Sequence, residues 1–179
     1  EQCYVANGTT LNGRDRVAGI VAKSQGVTIK NCYVDATIIS RAQQSGGIVA
    51  ATVNGGATVE NSYFVGTVTG GRFKAGLVGF MDSDNDVTIN NCLNLATVFS
   101  GDEAPKRIST WAGRENYAKF SNNYSISTTT LNGSPTTDGT TTNQNGANIP
   151  DGDDKAKTKE FYTETLEWDL DEVDGIWTI

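Results

Sequence analysis

The stretch TIKNCYV, residues 28–34, places an amide and a thiol, Asn31 and Cys32, in the middle of a run of β-forming residues. Similar phrases return along the chain as EQCYV at 1–5, TVENSYF at 58–64, TINNCLN at 88–94 and KFSNNYS at 119–125. Self-similarity at a fixed period is the sequence signature of a repeat architecture. The phrase therefore has to be interpreted together with its copies.

Two neighbouring positions carry the repeat. The thiol position is occupied by Cys3, Cys32, Ser62, Cys92 and Asn123, at spacings of 29, 30, 30 and 31 residues. The position before it is occupied by Gln2, Asn31, Asn61, Asn91 and Asn122. We expect the asparagines to accept a left-handed bend and to form a ladder of amides from coil to coil. We expect Cys32, Ser62 and Cys92 to form a column of small side chains in a tight interior corner.

A second phrase recurs out of phase with the first. It reads AGIVA at 18–22, GGIVA at 46–50 and AGLVG at 75–79, and a degenerate copy, RISTW at 107–111, lacks the glycine. Each unit of about thirty residues thus has three short apolar segments separated by turn residues. This pattern predicts an all-β fold, a parallel β-helix of four to five coils over residues 1–126. A Greek-key sandwich is the alternative, but it requires no such repeat.

These two phrases together resemble the GLUG-motif repeats found in secreted and surface proteins of Bacteroides-like gut bacteria. The resemblance covers most of 1–126, and the ending EFYTETLEWDLDEVDGIWTI, 160–179, is similar to the segment that often follows such repeats. The resemblance implies a repetitive β architecture that is secreted or displayed at the cell surface. It implies no established enzymatic activity.

Beyond the repeats, the chain changes in composition twice. Residues 127–153 are rich in Thr, Asn and Gly and have little to bury, which predicts an extended or poorly ordered connection. Residues 154–179 combine a short amphipathic helix with an apolar tail, and we expect this segment to pack on the coil stack. We also expect the chain to be part of a longer polypeptide, because the first coil is incomplete and the last residues are apolar.

Charge and residue usage exclude several function classes. The net charge of -7 disfavours nucleic acid as a partner, because phosphate binding needs an excess of Lys and Arg. The chain has no His, which removes the commonest general base and metal ligand. Its three cysteines form no CxxC motif and, being odd in number, no complete disulfide framework. No apolar run reaches membrane-spanning length.

One acidic turn is a candidate cation site. DSDND, 82–86, sets Asp82, Asp84 and Asp86 at alternate positions, a spacing that can direct oxygen ligands onto Ca²⁺. The EF-hand pattern fails, because Val87 stands where Gly is needed and Leu93 where Glu is needed. A solvated acidic turn is the alternative interpretation, and the sequence indicates no other cofactor.

A basic stripe is the second candidate, in the turns before the second phrase. It consists of Arg14, Arg16, Arg41, Arg72, Lys74, Lys106 and Arg107, and Trp111, Arg114 and Tyr117 extend the region. Stacked coils would align these side chains into a surface that suits an anionic glycan or a protein partner. Solubilising edge charge and core packing are the alternatives.

Two functions follow from these patterns. The first is a non-catalytic extracellular repeat module that serves adhesion, glycan or protein-partner binding, or acts as a spacer in a larger surface protein. The second is a carbohydrate-active enzyme, a polysaccharide lyase or hydrolase on a β-helix scaffold. We favour the first, because Asp35, Glu60 and Asp86 occupy no equivalent position in neighbouring repeats and so predict no carboxylate pair.

Overall fold

A computed structural model describes residues 1–81, 86–110 and 118–170, and it is a parallel β-helix. The first three coils have four strands each: β1 Tyr4–Gly13, β2 Val17–Ala18, β3 Val21–Ser24, β4 Val27–Lys30; β5 Tyr33–Ser40, β6 Gln44–Gly46, β7 Val49–Thr52, β8 Ala57–Glu60; β9 Tyr63–Thr69, β10 Phe73–Ala75, β11 Val78–Met81 and β12 Val87–Asn90. The fourth coil has β13 Leu93–Ser100 and β14 Ala118–Ser121, with single bridges at Lys106 and Ser109.

Each of these strands pairs in parallel with its counterpart one coil away. Sheet A begins with the order β1-β5-β9-β13, sheet B has β2-β6-β10, sheet C β3-β7-β11 and sheet D β4-β8-β12-β14. The pairing joins equivalent positions of the repeat, so that Tyr33 lies beside Tyr63 and Tyr63 beside Leu93. The predicted parallel β-helix with coils of about thirty residues is therefore confirmed.

The third apolar segment of each repeat forms two strands, so a coil has four strands where three were predicted. The chain bends between sheets B and C at Gly19, Gly47 and Gly76. A Cβ atom on Gly47 would collide with the carbonyl of Gly76 and with the ring of Phe64 from sheet A. The glycine of the GIV phrase is thus needed because the bend packs directly against the opposite sheet.

The residue before the thiol turns the chain from sheet D into sheet A. Its φ is positive in every coil: 57° at Gln2, 57° at Asn31, 45° at Asn61, 51° at Asn91 and 54° at Asn122. Asn tolerates this left-handed region better than most residues, as the repeat predicts. The expected amide ladder is present at the last step, where Asn122 Nδ2 donates to Asn91 Oδ1 at 3.1 Å.

The thiol position links the coils through its side chains. The Cys32 amide donates to Ser62 Oγ at 3.1 Å, and the Cys92 amide donates to Asn123 Oδ1 at 3.1 Å. Ser62 Oγ in turn donates to the carbonyl of Glu60 in its own coil at 2.7 Å. The regular ladder of backbone hydrogen bonds is interrupted at this corner. The side chain at the thiol position therefore accepts the hydrogen bond that a backbone carbonyl would otherwise accept. Burial also raises the pKa of Cys92 to about 12, so its thiol stays protonated at neutral pH.

Segment 124–149 closes the stack as an irregular fifth coil. It contains β15 Tyr124–Ser125, β16 Thr130–Leu131, β17 Ser134–Pro135 and β18 Ala147–Asn148. β15 pairs with β13, and β18 pairs with β15. Most of the Thr/Asn/Gly-rich segment thus continues the coil stack, where an extended or poorly ordered connection was predicted.

Arg107 anchors this last coil from inside. It stands where Gly19, Gly47 and Gly76 stand in the earlier coils, and it is fully buried. Its guanidinium donates to the carbonyls of Asn145 at 2.9 Å, Gly146 at 2.6 Å and Ile126 at 3.3 Å, and to Asn148 Oδ1 at 2.6 Å. The degenerate fourth phrase therefore replaces a bend glycine with the side chain that holds the final coil.

The C-terminal segment packs on the outside of sheet A. It has a 3-10 helix, Asp153–Lys157, and a π-helical turn, Phe161–Thr165. Its apolar side chains form a second core with sheet A and the last coil: Leu93, Ile126, Ile149, Phe161, Tyr162, Leu166 and Trp168. Trp168 Nε1 donates to the Asn91 carbonyl at 2.7 Å, which fixes the tail to the coil corner.

Candidate functional site: the outer face of sheet A

The outward side chains of sheet A form columns across the coils. The inward positions, such as Val34, Ile38, Phe64 and Val68, are fully buried in the core. The outward positions of β5 are Tyr33, Asp35, Thr37 and Ile39, and those of β9 are Tyr63, Val65, Thr67 and Thr69. Because equivalent positions pair in register, this face is broad, flat and assembled from repeated residues.

A tyrosine column lines one edge of this face. Tyr4, Tyr33 and Tyr63 stack with ring centroids 5.3 and 5.2 Å apart and with ring planes within 13° of parallel. The spacing reflects the distance between neighbouring strands, about 4.8 Å, so each ring packs on the ring one coil away. The next ring contact is between Tyr63 and Trp168 of the tail, at 6.3 Å.

The tail divides this face into a covered and an open part. Tyr63, Leu93, Leu95 and Tyr124 lie in the apolar cluster under the tail. Tyr4 lies outside that cluster and is 62% exposed. Tyr33, in the next coil, is also outside it and is half-buried. The open part therefore belongs to the first two coils and ends where the tail begins.

Polar groups fill the middle of the open face. Thr10 pairs with Thr37, and Thr37 with Thr67, which produces a row of three hydroxyl groups. Asp35 lies on the same face of β5, one outward position from Tyr33. Partial burial raises the pKa of Asp35 above its usual value. The face thus offers ring edges, hydroxyl groups and one carboxylate within a few strand spacings.

Four of the predicted basic residues lie together at the opposite end of the same face. Arg14, Arg16, Arg41 and Arg72 are exposed in the loops that lead from sheet A into sheet B. We call these four residues the arginine corner. Arg72 forms an ion pair with Glu103 of the next coil at 2.6 Å, and Arg16 lies 3.7 Å from Asp15.

Two other predicted binding residues are not on this surface. Lys74 is fully buried, and its ammonium donates to the carbonyls of Arg72 at 3.2 Å and Glu103 at 3.0 Å. Burial lowers its pKa, against the opposing effect of Asp102 and Glu103. Arg107 is buried in the last coil, as described above. Lys74 and Arg107 therefore do not belong to the predicted stripe. Each occupies a position of the repeat whose side chain points into the coil stack, whatever the residue type.

The remaining predicted residues fall largely in parts of the chain that are not described. Trp111, Arg114 and Tyr117 of the basic region, and Asp82 and Asp84 of the predicted Ca²⁺ turn, lie outside the described residues. Asp86, the third member of that turn, is exposed just before β12. Within the described residues, no group of three or more His, Cys, Asp or Glu side chains is placed to hold a metal ion.

The tyrosine column is the feature that the sequence interpretation missed. Its members directly follow the thiol position: Tyr4, Tyr33, Tyr63 and, in the last coil, Tyr124. Aligning one position further along the repeat would have found it. Leu93 interrupts the column in the fourth coil, at the place where the tail packs.

Comparison with models of protein families, with curated proteins and with solved structures finds no match to this chain. Within residues 1–81, 86–110 and 118–170, no helix is long and apolar enough to cross a membrane.

Proposed function

We propose that the chain is a non-catalytic extracellular repeat module that binds a glycan on the open part of the outer face of sheet A. The proposal rests on one observation: the C-terminal tail covers only part of that face. The tail buries the C-terminal half of the aromatic column and leaves Tyr4 and Tyr33 accessible beside Asp35 and the threonine row. Because the aromatic rings and hydroxyl groups of this surface are already held rigidly, little conformational entropy is lost when a ligand binds to them.

The chemistry of the face suits a sugar chain. A pyranose ring combines apolar C–H surfaces with hydroxyl groups, and it is complemented by aromatic side chains next to polar groups that fix its orientation. A chain running along β5 from Tyr33 would reach Arg41, eight residues further on. At about 3.3 Å per residue this is roughly 26 Å, which accommodates several sugar units. The arginine corner favours a glycan that carries carboxylate or sulfate groups.

The hydrolase form of the enzyme alternative requires a second carboxylate close to the first. Glycoside hydrolases act through two carboxyl groups on either side of the scissile bond. The outward positions of β5 and β9 include one carboxylate, Asp35. Glu60 lies at the end of β8 in sheet D, and Asp86 lies before β12. This distribution favours binding over glycoside hydrolysis, and binding and turnover, including turnover by a lyase, are separable by experiment.

A glycan array is the test, with the wild-type chain and two variants. Tyr33→Ala removes the centre of the tyrosine column, and we expect it to weaken binding about tenfold or more, the loss of roughly one aromatic contact. Thr28→Ala, at an exposed position of sheet D, is the matched control and should bind as the wild type does. Circular dichroism of both variants checks that the fold is kept.

Three results would overturn the proposal. Binding that Tyr33→Ala leaves unchanged would place the site elsewhere. An array on which the wild-type chain binds no glycan would favour the role of structural spacer. Turnover of a bound polysaccharide that Asp35→Asn abolishes would establish the enzyme.

A further inference from the structure

The column at the thiol position contains one pair of adjacent cysteines. Going from coil to coil, its members are Cys3, Cys32, Ser62, Cys92 and Asn123. Ser62 separates Cys32 from Cys92, and Asn123 follows Cys92. Cys3 and Cys32 are therefore the two thiols that occupy neighbouring places, although they are 29 residues apart in sequence.

Hydrogen bonds on both sides of this pair fix its register. The amide of Gln2 donates to the Lys30 carbonyl at 3.1 Å, and the amide of Tyr33 donates to the Cys3 carbonyl at 3.1 Å. Neighbouring parallel strands lie about 4.8 Å apart, which is within the Cα separation that a disulfide spans, about 4.4–6.8 Å.

The sulfur of Cys32 already contacts Cys3. The Cys3 amide donates to Cys32 Sγ at 3.3 Å. Each of the two thiols also donates to the carbonyl two residues before it: Cys3 to Glu1 and Cys32 to Lys30. The two side chains are therefore oriented in the same way within their coils. The two side chains thus point to the same side of the corner, which is what a bond between them requires.

We propose that Cys3 and Cys32 form an inter-coil disulfide when the folded protein meets a small-molecule disulfide such as oxidised glutathione. The reaction needs one accessible thiol and one partner within reach, and the pair provides both: Cys3 is exposed, whereas Cys32 is buried directly behind it. Cys3 also precedes β1, so a small shift of its side chain leaves the sheet A ladder intact.

The reaction balances as two thiol–disulfide exchanges. The Cys3 thiolate attacks one sulfur of oxidised glutathione, which forms a mixed disulfide and releases one glutathione thiolate. The Cys32 thiolate then attacks Cys3 Sγ, which forms the Cys3–Cys32 bond and releases the second glutathione. The protein loses two electrons and two protons, and the glutathione disulfide gains both as two thiols.

The bond would tie the first coil to the second at the corner where β1 begins. Cys92 lies outside the reaction, because its neighbours in the column are Ser62 and Asn123. This accounts for an odd number of cysteines in a chain with one bridge. The proposal is independent of glycan binding, because the thiol column faces inward and the tyrosine column faces outward.

Intact mass and peptide mapping test the proposal on the folded protein. After incubation with oxidised glutathione we expect a loss of two hydrogen atoms per molecule and one alkylatable thiol, Cys92, after denaturation. Trypsin separates the three cysteines into peptides 1–14, 31–41 and 75–106. The first two should be linked to each other and the third should be free.

Matched variants make the result decisive. Cys92→Ser should form the same bridge and retain no thiol, whereas Cys32→Ser should keep glutathione on Cys3 without a cross-link. Ser62 already occupies the column, so serine is the conservative replacement at these places. A mixed disulfide at Cys3 that persists in the wild-type protein, a link to peptide 75–106, or a Cys3–Cys3 dimer would each overturn the proposal.

Discussion

The asparagine before the thiol is the residue that turns each coil. At Asn31, Asn61, Asn91 and Asn122 the backbone is left-handed, and the next residue fills the corner from inside. These roles were predictable from sequence, because Asn and small residues recur at fixed positions and have few other reasons to do so. The bend glycines were recognisable as a pattern, but their collision with sheet A needed the structure.

Asn61 tests the left-handed corner. Asn61→Ala should lower the free energy of unfolding by about 1–2 kcal/mol, because a residue with an ordinary Cβ pays that cost at positive φ. Asn61→Gly adopts the same conformation without this steric penalty and is the matched control. Urea denaturation measures both variants. Equal stability of the two would show that backbone strain at this corner is unimportant.

At the scale of the element, the period predicted the coils but not the last one. The first four coils copy one pattern, so self-similarity reveals them. The fifth depends on hydrogen bonds from Arg107 to residues 38 to 41 positions downstream, in a segment with no repeat signature. The division of the third apolar segment of each repeat into two strands was also not predictable, because the Gly-Ile-Val sequence is indistinguishable from part of a single apolar strand.

Arg107 should be the most sensitive arginine among those predicted for the stripe. Arg107→Met removes the donor from two carbonyls, of Asn145 and Gly146, and from the Asn148 amide oxygen, and we expect the free energy of unfolding to fall by about 3 kcal/mol or more. The Ile126 carbonyl keeps a second donor, Thr129 Oγ1 at 3.1 Å. Arg41→Met changes an exposed arginine and should stay within about 0.5 kcal/mol of the wild type. Denaturant unfolding compares the two, and similar losses would contradict the anchoring role of Arg107.

The tail should loosen at alkaline pH. Burial raises the pKa of Tyr162 from its ordinary 10 to about 12, and its hydroxyl donates to the Ala156 carbonyl at 2.7 Å. Tyr162 adds no pH dependence below about pH 10. Between pH 10 and 12 the unfolded chain ionises this phenol while the folded chain keeps its proton, so stability falls, by about 2–3 kcal/mol in total.

Tyr162→Phe removes this contribution. The variant should lose about 1 kcal/mol at neutral pH, the net worth of one hydrogen bond, but its stability should fall less steeply above pH 10. Tryptophan fluorescence during urea unfolding, measured at several pH values, follows both effects. A slope identical to that of the wild type would assign the alkaline loss to other groups.

At the scale of the whole molecule, the coil stack supplies a rigid flat face and the tail decides how much of it is open. The sequence predicted the stack and the tail separately. It could not predict where the tail lies, because that depends on Leu93 and Leu95 facing outward beneath Phe161 and Trp168. The candidate site differs from the predicted one for the same reason. The sequence predicted a stripe of seven basic residues, whereas the structure has an open face bounded by tyrosines and four exposed arginines.

The register of the coils is the central claim, and distances between spin labels test it most directly. Thr10, Thr37, Thr67 and Val98 occupy one outward column of sheet A in successive coils. Labels are placed in pairs on these positions in a background with the three native cysteines replaced by serine, and electron paramagnetic resonance gives each separation.

We predict that the distance from Thr10 grows by one strand spacing per coil, so that Val98 is about 14 Å away in backbone terms. A distance from Thr10 to Val98 shorter than that from Thr10 to Thr67, as in an antiparallel sandwich, would contradict the parallel in-register stack.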